Sequence, residues 1–155
     1  MEIRRFIIAN DHAGVELKTK IITYLADKFQ IIDLGINDEN SSVNYAQYAI
    51  KSVQEAIKLK CECILICGTG IGMCMAANKV QGARAANLYN VNSARLAKAH
   101  NDANVICFGA REFTFNQVKK MLDAFINATF EGQRHTNRLA FINEFENKTS
   151  KKKVY

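Results

Sequence analysis

The stretch Ile64-Leu65-Ile66-Cys67-Gly68-Thr69-Gly70-Ile71-Gly72 decides how this chain is read. Its apolar run, bounded by glycines, reads as a buried strand. The Met- and Ala-rich segment 73–79 reads as a helix. Between them, three glycines in five residues can turn several backbone N–H groups toward one point, beside the positive end of that helix. Such a nest suits an anion, either a phosphate or an oxyanion formed during a reaction. The spacing Gly-x-Gly-x-Gly is not the dinucleotide fingerprint, and no Gly-Lys-Ser/Thr follows to make a Walker loop. The loop is distinguished by a thiol, Cys67, at the strand end and a hydroxyl, Thr69, two residues on. The field of the following helix favours a thiolate at Cys67. A tight strand–helix turn around a buried cysteine fits the same letters.

The alternation continues on both sides of the loop. Strands read over 3–9, 30–34, 63–67, 83–88 and 104–108, and helices over 15–28, 44–60, 71–78, 90–99 and 114–127. A last helix over 133–146 packs outside the main layers. Ile22, Leu25, Ala26 and Phe29 form the inward stripe of the first helix; Tyr45, Ala49, Val53, Ala56 and Ile57 form that of the second. Five strand–helix repeats with short connections predict an α/β sandwich: a five-stranded parallel sheet with helices on both faces. One domain covers 1–147, followed by a flexible Lys-rich tail over 148–155. In such sheets ligands bind beyond the carboxyl ends of the strands. Asp11 and His12 follow strand one, residues 67–72 follow strand three, and Arg111 follows strand five. His100 and Asn101 precede strand five, at the other edge, which hints that a second subunit completes the site.

The length of 155 residues suffices for one full core, and 48% hydrophobic with 23% charged residues is ordinary globular composition. No apolar run approaches the roughly 20 residues of a membrane span. The chain runs straight into its first strand without a leader, so cytoplasmic residence is the expectation. Five cysteines, at 61, 63, 67, 74 and 107, contain no Cys-x-x-Cys pair, which argues against zinc and disulfide frameworks. The net charge of +6 owes four lysines to the last eight residues, so the rest carries little excess and nucleic-acid binding is not expected.

Asp11-His12 and His100-Asn101-Asp102 each put an imidazole in a turn or terminus beside polar groups. Each fits a cap as well as a proton shuttle. Arg134 and Arg138, four apart on a helix, share a face and can grip one phosphate; a solvated basic face fits them equally. Thiol, nest, histidines and arginines together suit proton transfer beside a carbonyl of a phosphorylated substrate. No carboxylate or His/Cys set points to a metal, and no cofactor is expected.

The runs Asp11-His12-Ala13-Gly14, Ile66 through Gly72, Ala76-Ala77-Asn78-Lys79, His100-Asn101-Asp102-Ala103-Asn104-Val105, Phe108-Gly109-Ala110-Arg111 and Phe130-Glu131-Gly132-Gln133-Arg134-His135 with Arg138 resemble type B ribose-5-phosphate isomerases. The resemblance spans 3–146 in order. It implies a Rossmann-like fold and interconversion of ribose 5-phosphate and ribulose 5-phosphate through an enediolate. It implies Cys67 as the base, assisted by Thr69, with the amides of Gly68, Gly70, Ile71 and Gly72 on the enediolate oxygen. His100 opens the furanose ring, with Asp11 at the ring oxygen and Asn101 and Tyr45 on substrate. His12, Arg111, Arg134 and Arg138 hold the phosphate. A homodimer, often a dimer of dimers, shares its sites between subunits. Relatives with a glutamate base carry it where Met73 stands here. Asn44-Tyr45-Ala46 replaces a common Asp-Tyr-Pro, and Gln133 stands where a second glycine is common. Allose 6-phosphate or galactose 6-phosphate are alternative substrates, and a non-catalytic sugar-phosphate-binding module is the alternative from another class.

Overall fold

The computed structural model describes residues 3–150. In chain order it contains β1 (Arg5–Asn10), a single 3-10 turn (His12–Gly14), α1 (Val15–Leu25), β2 (Gln30–Asp33), α2 (Tyr45–Lys58) and β3 (Glu62–Cys67). Then follow α3 (Ile71–Ala77), β4 (Ala85–Asn87), α4 (Val91–Ala99), β5 (Val105–Gly109), α5 (Phe115–Asn127) and α6 (Arg134–Ser150). All ladders are parallel, in the order β2-β1-β3-β5-β4.

Strand residues alternate between the two faces, and each face is apolar, as a doubly covered parallel sheet requires. Phe6, Ile8, Ile64, Ile66, Ile106 and Phe108 pack with Leu17, Ile21, Leu25, Ala94, Val118, Leu122 and Phe125 from α1, α4 and α5. Ile7, Ala9, Cys63, Leu65, Cys67 and Cys107 pack with Ala49, Val53, Met73 and Ala77 from α2 and α3. The chain leaves β1 in one direction along the sheet and β3 in the other, so the crevice between their carboxyl ends is the switch point where ligands bind.

Three expectations are corrected. The buried stripe of α1 is Leu17, Ile21 and Leu25 with Lys18, whereas Ala26 is exposed. Lys18 misleads because its stem packs while its ammonium is satisfied by Asp33 Oδ2 at 3.0 Å, Ile36 O at 2.7 Å and Asn37 Oδ1 at 2.8 Å. α1 also ends at Leu25, so Phe29 packs from outside the helix, edge-on to Phe6 at 5.3 Å. Tyr45 opens α2 but is exposed rather than inward, and α6 runs past Glu146 to Ser150, drawing Lys148 of the expected tail into an i,i+4 pair with Glu144. Residues 151–155 of that tail lie outside the described residues.

Candidate active site

The crevice between β1 and β3 gathers most of the expected residues. The Asp11 N–H donates to Ile66 O at 3.0 Å, tying the two strand ends together. The Asp11 carboxylate accepts the Ala13 N–H at 2.9 Å, and so caps the short turn carrying His12. His12 Nδ1 accepts the Val43 N–H at 3.3 Å, which fixes the ring beneath the 36–44 loop. Buried Asn10 anchors that loop, donating to Ile36 O at 3.0 Å and accepting from Ile36 N at 3.1 Å.

Cys67 ends β3 with only 5% of its surface open, and its Sγ accepts the Gly70 N–H at 3.1 Å. That bond exists because Gly70 sits at φ 81°, the left-handed region that turns its amide back toward the strand end. A side chain there would also meet Asn87 Oδ1 and, at 2.9 Å, the Phe108 carbonyl carbon. Thr69 Oγ1 accepts the Ile71 N–H at 3.3 Å. The Tyr45 ring lies across Gly72, where an added Cβ would stand 2.5 Å from it. Arg111 lies over Gly68, its Nη1 3.0 Å from where a Cβ would be. The Arg111 N–H donates to Gly68 O at 3.0 Å. Asp11, His12, Tyr45, Cys67, Thr69, the glycine-loop amides and Arg111 thus share one carboxyl edge. Met73 is fully buried and belongs to the core.

All five cysteines are free. Burial pushes the thiols of Cys61 and Cys63 up, which keeps them protonated. Cys107 is also pushed up, first by its hydrogen bond with Cys74 and then by burial.

His100, Asn101, Arg134 and Arg138 stand elsewhere. Lys98, two residues before His100, reaches Glu62 at 3.5 Å, and Glu62 is the first residue of β3 whereas Cys67 is the last. Five strand steps of about 3.3 Å put roughly 17 Å between those levels. His100 caps the carboxyl end of α4, stacked on His135 with ring centroids 4.2 Å apart and planes 18° from parallel. Glu131 Oε2 lies 3.5 Å from His100 Nε2. Burial, then the positive charge of Arg134, pushes His135 below the usual histidine range. Arg134 and Arg138 are exposed on the first turns of α6. Among the described residues, these groups form no hydrogen bond with the glycine loop.

A cavity of about 600 Å³ opens at the amino edge, lined by Arg4, Glu62, Arg84, Lys98 and Asp102. These charges already pair with one another, so it is a structural ion-pair network and not the reactive crevice. Sequence reasoning missed Asn87, at the carboxyl end of β4, whose Nδ2 reaches Thr69 O at 3.5 Å. Its only signal was its place at a strand end. It also missed the pairing of Glu131 with His135, whose i,i+4 spacing was the available sign.

Fold and crevice define a Rossmann-like α/β protein with a thiol and an amide nest at its switch point. The family model described as Ribose/Galactose Isomerase matches residues 6–142. The ribose-5-phosphate isomerase B of Escherichia coli K12 is 34% identical over 146 residues, covering 93% of this chain and 97% of its own. The structure of Mycoplasma genitalium ribose-5-phosphate isomerase B with bound ribulose-5-phosphate superposes with a TM-score of 0.90 at 38% identity, covering 95% of this chain and 99% of that one. Clostridium thermocellum ribose-5-phosphate isomerase B gives a TM-score of 0.90 at 36% identity, over 94% and 99% of the two chains. This chain belongs to the ribose/galactose isomerase family.

Proposed function

We propose that this chain is an aldose–ketose isomerase that interconverts ribose 5-phosphate and ribulose 5-phosphate. The observation that carries the reading is the Cys67 sulfur held at 3.1 Å under the Gly70 amide, at the switch point of the sheet. A thiolate there takes the proton from C2 of the open-chain aldose. The electron pair moves into a C1–C2 enediolate. The thiol so formed, whose proton exchanges with solvent, protonates C1, while the hydroxyl proton passes from O2 to O1, to give the ketose. The developing negative oxygen sits against the amides of Gly68, Gly70, Ile71 and Gly72, where one such donor is worth roughly 3 kcal/mol. Thr69 assists from the loop and Tyr45 borders the substrate.

Ring opening precedes that step, with a proton delivered to the ring oxygen and another taken from the anomeric hydroxyl. His100 shuttles these protons, Asp11 stands at the ring oxygen and Asn101 contacts the sugar. His12, Arg111, Arg134 and Arg138 hold the phosphate. The separation of roughly 17 Å along β3 means that one chain does not close His100 onto its own Cys67. A second copy supplies His100, Asn101, Arg134 and Arg138, making a homodimer, or a dimer of dimers, with shared sites. Exposed Phe141, Ile142 and Phe145 on α6, and Ile71 and Met75 on α3, are the apolar surface such a contact would cover.

On this reading the enzyme serves non-oxidative pentose phosphate interconversion in the cytoplasm, without a cofactor. Among the described residues no helix is long and apolar enough to cross a membrane. The family description also includes galactose, which keeps six-carbon sugar phosphates as the second reading. The test is spectroscopic turnover of ribose 5-phosphate against allose 6-phosphate and galactose 6-phosphate, each with and without EDTA. Faster turnover of a hexose phosphate would replace the pentose assignment, and a rate lost to EDTA would end the cofactor-free one. No proton exchange into any of them would leave only a sugar-phosphate-binding module.

A further inference from the structure

His100, Glu131 and His135 reach one spot from three pieces of chain: the end of α4, the loop after α5 and the first turn of α6. The backbone fixes the meeting, since the Glu131 N–H donates to Ala99 O at 2.9 Å and the His135 N–H to Gly132 O at 3.0 Å. Glu131 Oε2 is 3.5 Å from His100 Nε2 and 3.9 Å from His135 Nε2, and one ligand atom from each residue lies within 4.8 Å of the others. His135 is 5% exposed, and its Nε2 is buried without a hydrogen-bond partner among the described residues. A buried polar atom left unpaired is an unmet desolvation cost, and so marks a position that a ligand could satisfy.

Two imidazoles and a carboxylate are the ligand chemistry of zinc and its neighbours in the transition series. Around a tetrahedral centre with bonds of about 2.1 Å, donor atoms stand about 3.4 Å apart. Both distances to Glu131 Oε2 are already near that value. The rings are stacked 18° from parallel, so an ion would draw them out of the stack by rotation about the broad terminal torsion of histidine. His100 and Glu131 keep 30% and 48% of their side-chain surface open, which leaves an approach and a fourth position for water.

We propose that His100, Glu131 and His135 bind a divalent transition metal of the zinc class, and that the bound ion takes His100 out of proton transfer. The metal site stands on the cluster alone; the inhibition rests on the role given to His100 above. An ion on the imidazole nitrogen occupies the lone pair that would otherwise take the proton, so metal and proton compete for one atom.

The test is calorimetric titration of the untagged full chain with zinc chloride, beside Glu131→Gln, His135→Asn and Cys67→Ser, with Co²⁺ absorption as a second probe of tetrahedral ligation. One ion per chain is expected, bound about 10-fold or more weakly by the Glu131 and His135 variants and equally well by Cys67→Ser. Zinc should slow ribose 5-phosphate turnover and EDTA restore it, while Glu131→Gln keeps its basal rate and escapes zinc. Glu131 is half-exposed, so its variant decides the matter even if His135→Asn fails to fold. No binding, binding indifferent to Glu131, or binding abolished by Cys67→Ser would overturn the site. Binding with the expected dependence but no inhibition would keep the site and refute the proton-transfer role of His100.

Discussion

Mixing two crippled variants, Cys67→Ala and His100→Asn, distinguishes a site closed within one chain from a site closed by two. Each homodimer is inactive in both models, since losing a proton-transfer group costs about 10²–10⁴-fold. The geometry separates the models. β3 puts Cys67 roughly 17 Å beyond the level of Glu62, where the end of α4 is anchored. If the partner supplies His100, a mixed dimer has one site with both groups intact and one with neither. Random reassociation makes half the dimers mixed, each with one of its two sites working, so about a quarter of wild-type turnover returns. The assay is ribose 5-phosphate isomerisation after joint unfolding and refolding, with size-exclusion chromatography confirming reassembly. Activity that stays at the mean of the two separate variants would refute the shared site and require Cys67 and His100 to meet within one chain.

Other consequences are independent of assembly. Gly70→Ala forces a left-handed alanine, about 1–2 kcal/mol, and overpacks the turn against Phe108, about 1–3 kcal/mol. Urea unfolding should register a loss of roughly 2–5 kcal/mol, and the displaced amide should cut kcat by about 10²-fold or more; an unchanged kcat would remove Gly70 from the oxyanion nest. Gln133→Gly should do the opposite. Gln133 holds φ 52°, and relief of that strain, less the added chain entropy of glycine, leaves a gain of about 0.5–1 kcal/mol in the same experiment. His135 is held below its ordinary pKa of 6.5, so the unfolded chain binds the proton more readily than the folded one. Its contribution to stability is therefore whole above pH 6.5 and is lost as pH falls below it. Tm should drop between neutral and mildly acidic pH more steeply in the wild type than in His135→Gln, and parallel curves would refute that linkage.

The strands were legible because a parallel sheet buried on both faces leaves an apolar run at each strand, and β3, β5 and β1 are nearly uninterrupted. The glycine loop was legible because Gly70 needs a positive φ and Gly72 lies against the Tyr45 ring, and few residues satisfy such demands. The inward face of α1 was not legible, because a lysine with a packed stem and three polar partners looks like any surface lysine until the fold supplies Asp33, Ile36 and Asn37. The Asn44-Tyr45-Ala46 departure also becomes clear only in space. Asn44 Oδ1 accepts the Ala46 N–H at 3.0 Å to cap α2, and a proline at 46 would have no N–H to give. The meeting of His100 with Glu131 and His135 depends on how the loop after α5 passes beneath α4. No local pattern encodes that route, although the i,i+4 spacing of Glu131 and His135 fits it.

The most direct measurement follows deuterium from solvent into the substrate carbon, for the wild type and for Cys67→Ala at matched substrate occupancy. The account predicts exchange at the isomerising carbon in the wild type and, in Cys67→Ala, undiminished sugar-phosphate binding with exchange and turnover down by about 10²–10⁴-fold. Exchange at near wild-type rate without that sulfur would contradict it, and the proton would have to leave through another group.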